Sequence, residues 1–228
     1  MTRSIVGLRC VRFVAKRLLS FPRVVHGVNV SAVTDSLDWD HVEPPAARRL
    51  VQGAIDAFAE RGFQATTTRD IASRAGMSPA ALYVHYPSKE RLLFEISLYG
   101  HNAALEILRS ADTGGAPADR LRSLVAAFTA WHARHHTIAH VVQYELNALS
   151  PEHLAEVATI RRAISAQIEQ VLTDGVQDGS FAVPDLPGTT LAVLSLSIDV
   201  ARWYTPHRGD PDALGKLYAD LAHRMVQA

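Results

Sequence analysis

The sequence predicts an all-α protein in two parts, a small set of three short helices ahead of a larger group of long ones. Two observations carry that expectation. Apolar residues recur at helical steps of three and four, as in Leu50, Val51, Ile55 and Phe58 or Leu214, Leu217, Tyr218, Leu221 and Met225. Helix starts are marked by a capping side chain followed by proline at the first position, at Ser78-Pro79 and Ser150-Pro151, where the missing N–H costs nothing. A composition rich in alanine and leucine, with only 7% aromatics, suits helices, and 228 residues supply ample core.

Charge separates the two parts. Residues 1–92 carry 13 Lys/Arg against 8 Asp/Glu, a balance of +5, and the remainder carries 10 against 15, a balance of −5, so the overall sum is zero. A basic leading part beside an acidic remainder is the pattern of a head that meets phosphates and a body that does not. The single cysteine, Cys10, excludes an internal disulfide and fits a reducing, cytoplasmic compartment. The longest apolar run, Leu191 to Ala201, is too short to span a bilayer, so no membrane partner is expected.

Residues 1–43 form an N-terminal extension. Six basic residues and no acid lie between Met1 and Val30. Three readings stay open: a basic arm toward DNA, a transit-peptide-like leader, or a disordered or mis-assigned start. No function is placed there.

Pro44-Pro45 open the first helix, Ala46 to Arg61, which Gly62 ends. Thr67 and Asp70 have capping-box spacing for a second helix, with Ile71, Ala72 and Ala75 inward and Gly76 at its left-handed end. A third helix starts immediately, with Ser78 as cap, Pro79 next and Leu82 inward, and it closes at His85 and Tyr86 before Pro87. Helix, tight glycine turn and helix at this spacing read as a helix-turn-helix over residues 44–92. The tip of its second helix, Pro79, Ala80 and Ala81, is small enough to approach base edges. Tyr83, His85 and Lys89 place phosphate donors around it.

The pattern Gly62-Phe63, Thr66-Thr67, Arg69-Asp70-Ile71-Ala72, Ala75-Gly76-Met77-Ser78, Leu82-Tyr83, His85-Tyr86 and Pro87-Ser88-Lys89-Glu90 closely resembles the DNA-binding domain of TetR-family transcriptional regulators. It departs from the family at Thr68, usually apolar, at Met77, usually Val or Ile, and at Tyr86, usually Phe. The resemblance implies a DNA-contacting set of Arg48, Thr67, Thr68, Ser78, Pro79, Ala80, Ala81, Tyr83, His85, Tyr86 and Lys89. A tip with so little hydrogen-bonding capacity would read thymine methyls or DNA shape.

Ser88 caps a long helix through Leu92, Leu93, Ile96, Tyr99, Leu105 and Leu108 that joins head to body. Residues 93–228 follow as a larger helical domain for ligand binding and dimerisation, with a helix from Ala118 to about His136, a break near His136-Thr137, a further helical stretch carrying Val141, Val142, Tyr144 and Leu146, and a helix from Ser150 to about Gly175. Pro187 to Thr205 is apolar on nearly every face, and Pro211 to Gln227 carries a stripe, so these last two helices suit one half of a four-helix homodimer interface. Two heads would then reach the halves of an inverted-repeat operator in double-stranded DNA.

The family's regulatory domain encloses a ligand among its middle helices, which points to Phe128, Trp131, His132, Tyr144, Glu145 and Trp203 as a small-molecule site. Arg202-Trp203-Tyr204 with Pro206 and Tyr218 resembles the actinobacterial branch that represses lipid or steroid catabolism and responds to acyl-CoA thioesters. Arg161, Arg162 and Arg202 are the cations available for such a ligand's phosphates. No cofactor is implied. Two rivals come from other classes: an enzyme holding metal through His132, His135, His136 and His140, and a helical interaction protein that never meets DNA. The favoured reading is a homodimeric repressor released when an effector shifts the connecting helix.

Overall fold

A computed structural model describes residues 37, 39 and 42–227, and every regular element among them is helical. The readings offered for the N-terminal extension therefore lie almost wholly outside the described residues. The α-helices are α1 (Pro45–Ala65), α2 (Thr68–Arg74), α3 (Pro79–His85), α4 (Lys89–Ala111), α5 (Pro117–Arg134), α6 (His136–Tyr144), α7 (Pro151–Gln177), α8 (Leu186–Trp203) and α9 (Pro211–Val226). Short 3-10 turns lie at Leu146–Ala148 and Pro206–Arg208.

Local chemistry fixes the head. Gly62 leaves helical geometry with φ 75° and ψ 164°, so α1 turns there and then adds one further turn to Ala65. The buried Thr66 hydroxyl lies 2.8 Å from the carbonyl of Gly62 and 3.0 Å from that of Ala57, sharing one hydrogen between them. The capping box forms as spaced: Asp70 N–H donates to Thr67 Oγ1 at 3.1 Å and Thr67 N–H to Asp70 Oδ2 at 2.8 Å. Those bonds from Thr67 hold the Asp70 carboxyl below its usual pKa. α2 ends in a Schellman turn, with Met77 N–H donating to Ala72 O and Gly76 N–H to Ser73 O around Gly76 at φ 68°. Ser78 and Ser88 cap α3 and α4 through Ala81 N–H and Arg91 N–H.

Two apolar cores are strung on α4. The first gathers Leu50, Ile55, Phe58, Ile71 and Leu82 of the head with Leu92, Leu93 and Ile96, and continues into the body through Ile138, Val141, Val142, Leu149 and Val157. The second takes Ala104, Leu105 and Leu108 from the same helix and packs them with α5, α7, α8 and α9. The expected boundary at residue 92 thus falls inside one helix and one core. Arg120 on α5 bonds Asp112 at 2.8 Å and Asp174 at 2.6 Å, pinning the glycine loop ahead of α5 to α7.

α9 lies against α5 through small residues, Gly215, Ala219 and Ala222, and leaves Leu217, Leu221 and Met225 exposed; Leu196 of α8 is exposed as well. These two helices therefore bury one side within the chain and present apolar side chains outward, as expected of them. A Cβ at Gly215 would sit 2.4 Å from the Ala126 carbonyl oxygen. Gly215→Ala forces the two helices apart and should lower unfolding free energy by about 1–3 kcal/mol in urea titration, even though alanine is the better helix former.

Candidate functional site

The recognition tip is open. Pro79 and Ala80 are exposed and Ala81 is half-buried, while Leu82 alone on α3 is buried and anchors the helix. Tyr83 is 55% exposed, and its hydroxyl lies 3.3 Å from Thr68 Oγ1, tying α3 to α2 across the turn. Val84, absent from the expected contacts, is 78% exposed, the most of any large apolar side chain among the described residues. A period-based reading assigns such a residue to a packed face; here the helix is too short to bury more than one side.

Several expected contacts are otherwise engaged. Tyr86 is only 8% exposed and packs in the head core, and burial pushes its phenol up to about 12, so it is a core residue rather than a DNA contact. Lys89 turns inward: Nζ donates to the carbonyls of Phe63 at 2.6 Å and Thr66 at 2.7 Å and lies 4.0 Å from the Phe63 ring centroid. Desolvation lowers its pKa. Its ammonium holds the end of α1 against α4 instead of standing ready for phosphate. The hydroxyls of Thr67 and Ser78 are occupied by caps, and Arg48 pairs with Glu43 at 3.4 Å. His85 is half-buried at the end of α3. Arg69, exposed on α2 and making no ion pair among the described residues, is a cation the expected set overlooked.

The body contains a cavity of about 630 Å³ walled by α4, α5, α6, α7 and α8. Gly100, Ala104, Phe128, Trp131, Val142, Ile164, Leu194 and Ile198 give it apolar sides. Of the expected ligand residues it gathers Phe128, Trp131, His132 and Tyr144. Glu145 and Trp203 are not in its wall and drop out. Glu145 Oε1 faces Gly62, 3.2 Å from where a Cβ would stand, and Trp203 lies against Tyr204 and Arg208. Glu145 stands one residue past the end of α6 and Trp203 is the last residue of α8.

The polar groups of the cavity come mainly from residues far apart in sequence. His101 Nδ1–H donates to Ser97 O at 2.7 Å, which leaves Nε2 as a lone-pair acceptor for Arg161 Nη1 at 3.2 Å. Arg161 Nη1 also donates to Gln143 Oε1 at 2.7 Å. His132 repeats the arrangement, with Nδ1–H on Phe128 O at 2.7 Å and its ring edge-on to Phe128 and Trp131. Burial, and then the Arg161 charge, pulls His101 down to about 3, and burial pulls His132 down to about 4, so both imidazoles are neutral at pH 7. At the rim, Tyr144 donates to Asp199 at 3.3 Å, and Arg202 holds the same carboxylate through two bonds of 2.7 and 2.8 Å. His132, His135, His136 and His140 do not converge: among the described residues no three histidines, cysteines or carboxylates are placed to share a metal ion. No helix among them is long and apolar enough to cross a membrane.

Comparison with known proteins places this architecture. Residues 50–96 match the family described as bacterial regulatory proteins, tetR family, and residues 114–226 match the tetracyclin repressor-like C-terminal domain. The HTH-type transcriptional repressor KstR2 of Mycolicibacterium smegmatis is 34% identical over 181 residues, 73% of this chain and 84% of that one. A tetR-family regulatory protein from Rhodococcus RHA1 superposes with a TM-score of 0.78 at 44% identity, over 81% of this chain and 98% of its own. The ketosteroid transcriptional regulator KstR2 of Mycobacterium tuberculosis superposes with a TM-score of 0.74 at 26% identity, over 82% and 97%. With a capped helix-turn-helix ahead of a cavity-bearing helical body, and with matches to both halves, the chain belongs to the TetR family of bacterial transcriptional regulators.

Proposed function

We propose that the chain is a cytoplasmic homodimeric repressor that acts by binding rather than by catalysis. It reads an inverted-repeat operator with the Pro79–Ala81 tip and Val84, and it is released by a hydrophobic effector in the body cavity. The observation that supports this most directly is the cavity's place in the fold. Val142 of α6 is part of the cavity wall and also part of the core that the head shares with the body, so an occupant that displaces α6 presses on the packing that orients the head. The coupling needed is on the order of 1–3 kcal/mol. Two chains joined through the exposed leucines of α8 and α9 would present two tips to half-sites roughly 34–36 Å apart.

The cavity also narrows the effector class. Its volume falls in the range of small-molecule sites, its walls suit an apolar skeleton, and Arg161 offers a cation at one end. The relative described as a ketosteroid transcriptional regulator supports a lipid- or steroid-derived ligand, which this reading takes to be carried as an acyl-CoA thioester. The acyl part would occupy the cavity, and the nucleotide phosphates would lie outside it near Arg162 and Arg202.

Gel shift with the DNA upstream of the chain's own gene tests the reading, with and without a panel of acyl-CoA and steroid thioesters. Specific retention reversed by one class supports it, and no retention on any such DNA sinks it. Ala80→Glu sets a carboxylate against the phosphates and should weaken retention more than tenfold, about 1.4 kcal/mol, with the melting temperature unchanged because the site is exposed. Ser165→Phe fills the cavity from α7 and should leave retention intact while abolishing its reversal.

The neutral histidines predict a pH dependence. Unfolded imidazoles take up protons below about pH 6.5, whereas buried His101 and His132 resist until about 3 and 4. Stability is therefore full above pH 6.5 and declines as pH falls toward 4. His132→Gln should flatten that decline by up to about 1.4 kcal/mol per pH unit, measured by urea unfolding between pH 7.5 and 5.

A further inference from the structure

The first turn of α4 is gripped from both sides. Lys89 donates to the carbonyls of Phe63 and Thr66, which belong to the head. The next residue faces the body. Glu90 Oε1 accepts from Ser150 N–H at 2.9 Å and from His153 Nδ1–H at 2.8 Å, and Ser150 is the N-cap of α7. A carboxylate at a helix N-terminus is favourably placed against the dipole.

The contact extends beyond that one carboxylate. The His153 ring stacks on Phe94 of α4 at 3.8 Å between centroids and 10° between planes. With Nδ1–H given to Glu90, Nε2 is the acceptor for Arg91 Nη1 at 3.5 Å. Arg91 in turn pairs with Glu95 and lies 5.0 Å from the Phe94 ring. One turn of α7 is thus keyed into one turn of α4 immediately after the recognition helix. From that point α7 runs on into the cavity wall, where Leu154, Ala158, Arg161 and Ser165 share one face.

We propose that Glu90 is a positioning residue: with Ser150 and His153 it fixes the angle between the DNA-reading head and the body, and it makes α7 a second route from cavity to head besides α6. Lys89 keeps the head on α4, and Glu90 keeps α4 on α7. Any occupant that slides α7 along its axis draws on Glu90 and so rotates the head. Because neither operator nor effector enters the test, its outcome is separate from that of the repressor reading.

The test measures the head-to-body distance within one chain. Spin labels are attached to Ser73→Cys on α2 and Lys216→Cys on α9, both exposed, in a Cys10→Ser background. An excess of unlabelled chain ensures that each particle carries one labelled copy. In the parent the pulsed dipolar distance distribution should be narrow. Glu90→Ala should at least double its width while circular dichroism still reports a fully helical, cooperatively melting protein. Glu90→Gln, whose amide oxygen still accepts from Ser150 N–H, should broaden it less. His153→Phe keeps the stack on Phe94 and removes the bond to Glu90, which gives a second test should Glu90→Ala fail to fold, and it too should broaden the distribution. A folded Glu90→Ala protein with the parent's distribution, or an unfolded Glu90→Ala together with an unbroadened His153→Phe, overturns the proposal. A merely structural role would lower the melting temperature and leave the distribution of folded molecules unmoved.

Discussion

The structure depends on one constraint: the head has no core of its own that is closed off from the body. α2 and α3, seven residues each, are too short to cover the apolar face of the 21-residue α1. α1 finds the rest of its cover from α4 and α6, so that Leu50, Phe58, Ile71 and Leu82 belong to one core with Ile138, Val141 and Val142. Interiors pack at crystal-like density and do not deform continuously. A displacement of α6 or of the lower half of α4 is therefore passed to the head as a rigid reorientation rather than absorbed locally. That continuity is what the proposed influence of the cavity on the recognition helix rests on.

The composition of the tip sets how affinity must be distributed. Pro79, Ala80, Ala81 and Val84 offer no side-chain hydrogen bonds, and the hydroxyls of Ser78 and Thr67 are committed to caps. On the proposed reading such a surface would approach the groove floor closely and discriminate mainly through thymine methyls and groove shape. A single head would bind weakly, so operator recognition rests on having two heads at a fixed separation. The angle of each head on its body then becomes as important as the identity of the bases beneath it.

Legibility in the sequence followed the range of the interactions. The capping box at Thr67 and Asp70, the glycine turn at Gly76 and the proline starts of α3 and α7 are decided within a few residues, and the structure forms them as spaced. The break expected near His136-Thr137 falls at His135, between α5 and α6. Side-chain direction at the ends of helices was not legible. Tyr86, Lys89, Glu145 and Trp203 each sit at or next to a helix terminus, where one turn of backbone decides between core, cavity and solvent. The partners that decide it, such as Phe63 for Lys89 and Gly62 for Glu145, lie more than twenty residues away. His101 and Gln143 escaped notice for the same reason: nothing local marks a histidine in the middle of α4 as the acceptor for an arginine on α7.

The cavity's electrostatics bear on how it can be occupied. His101 and His132 both give Nδ1–H to a carbonyl one turn back on their own helix, so each ring is fixed in orientation and presents only a lone pair at Nε2. Protonation is opposed by burial and by the Arg161 charge, so the pair cannot serve as a second and third cation. Arg161 carries the positive charge among the cavity's wall residues, and His101 Nε2 and Gln143 Oε1 are two of the acceptors that orient it. Arg161 stands on α7, the helix whose N-terminal turn holds Glu90. The polar group of the cavity wall and the contact proposed to set the head's angle thus lie on the same helix, about two turns apart.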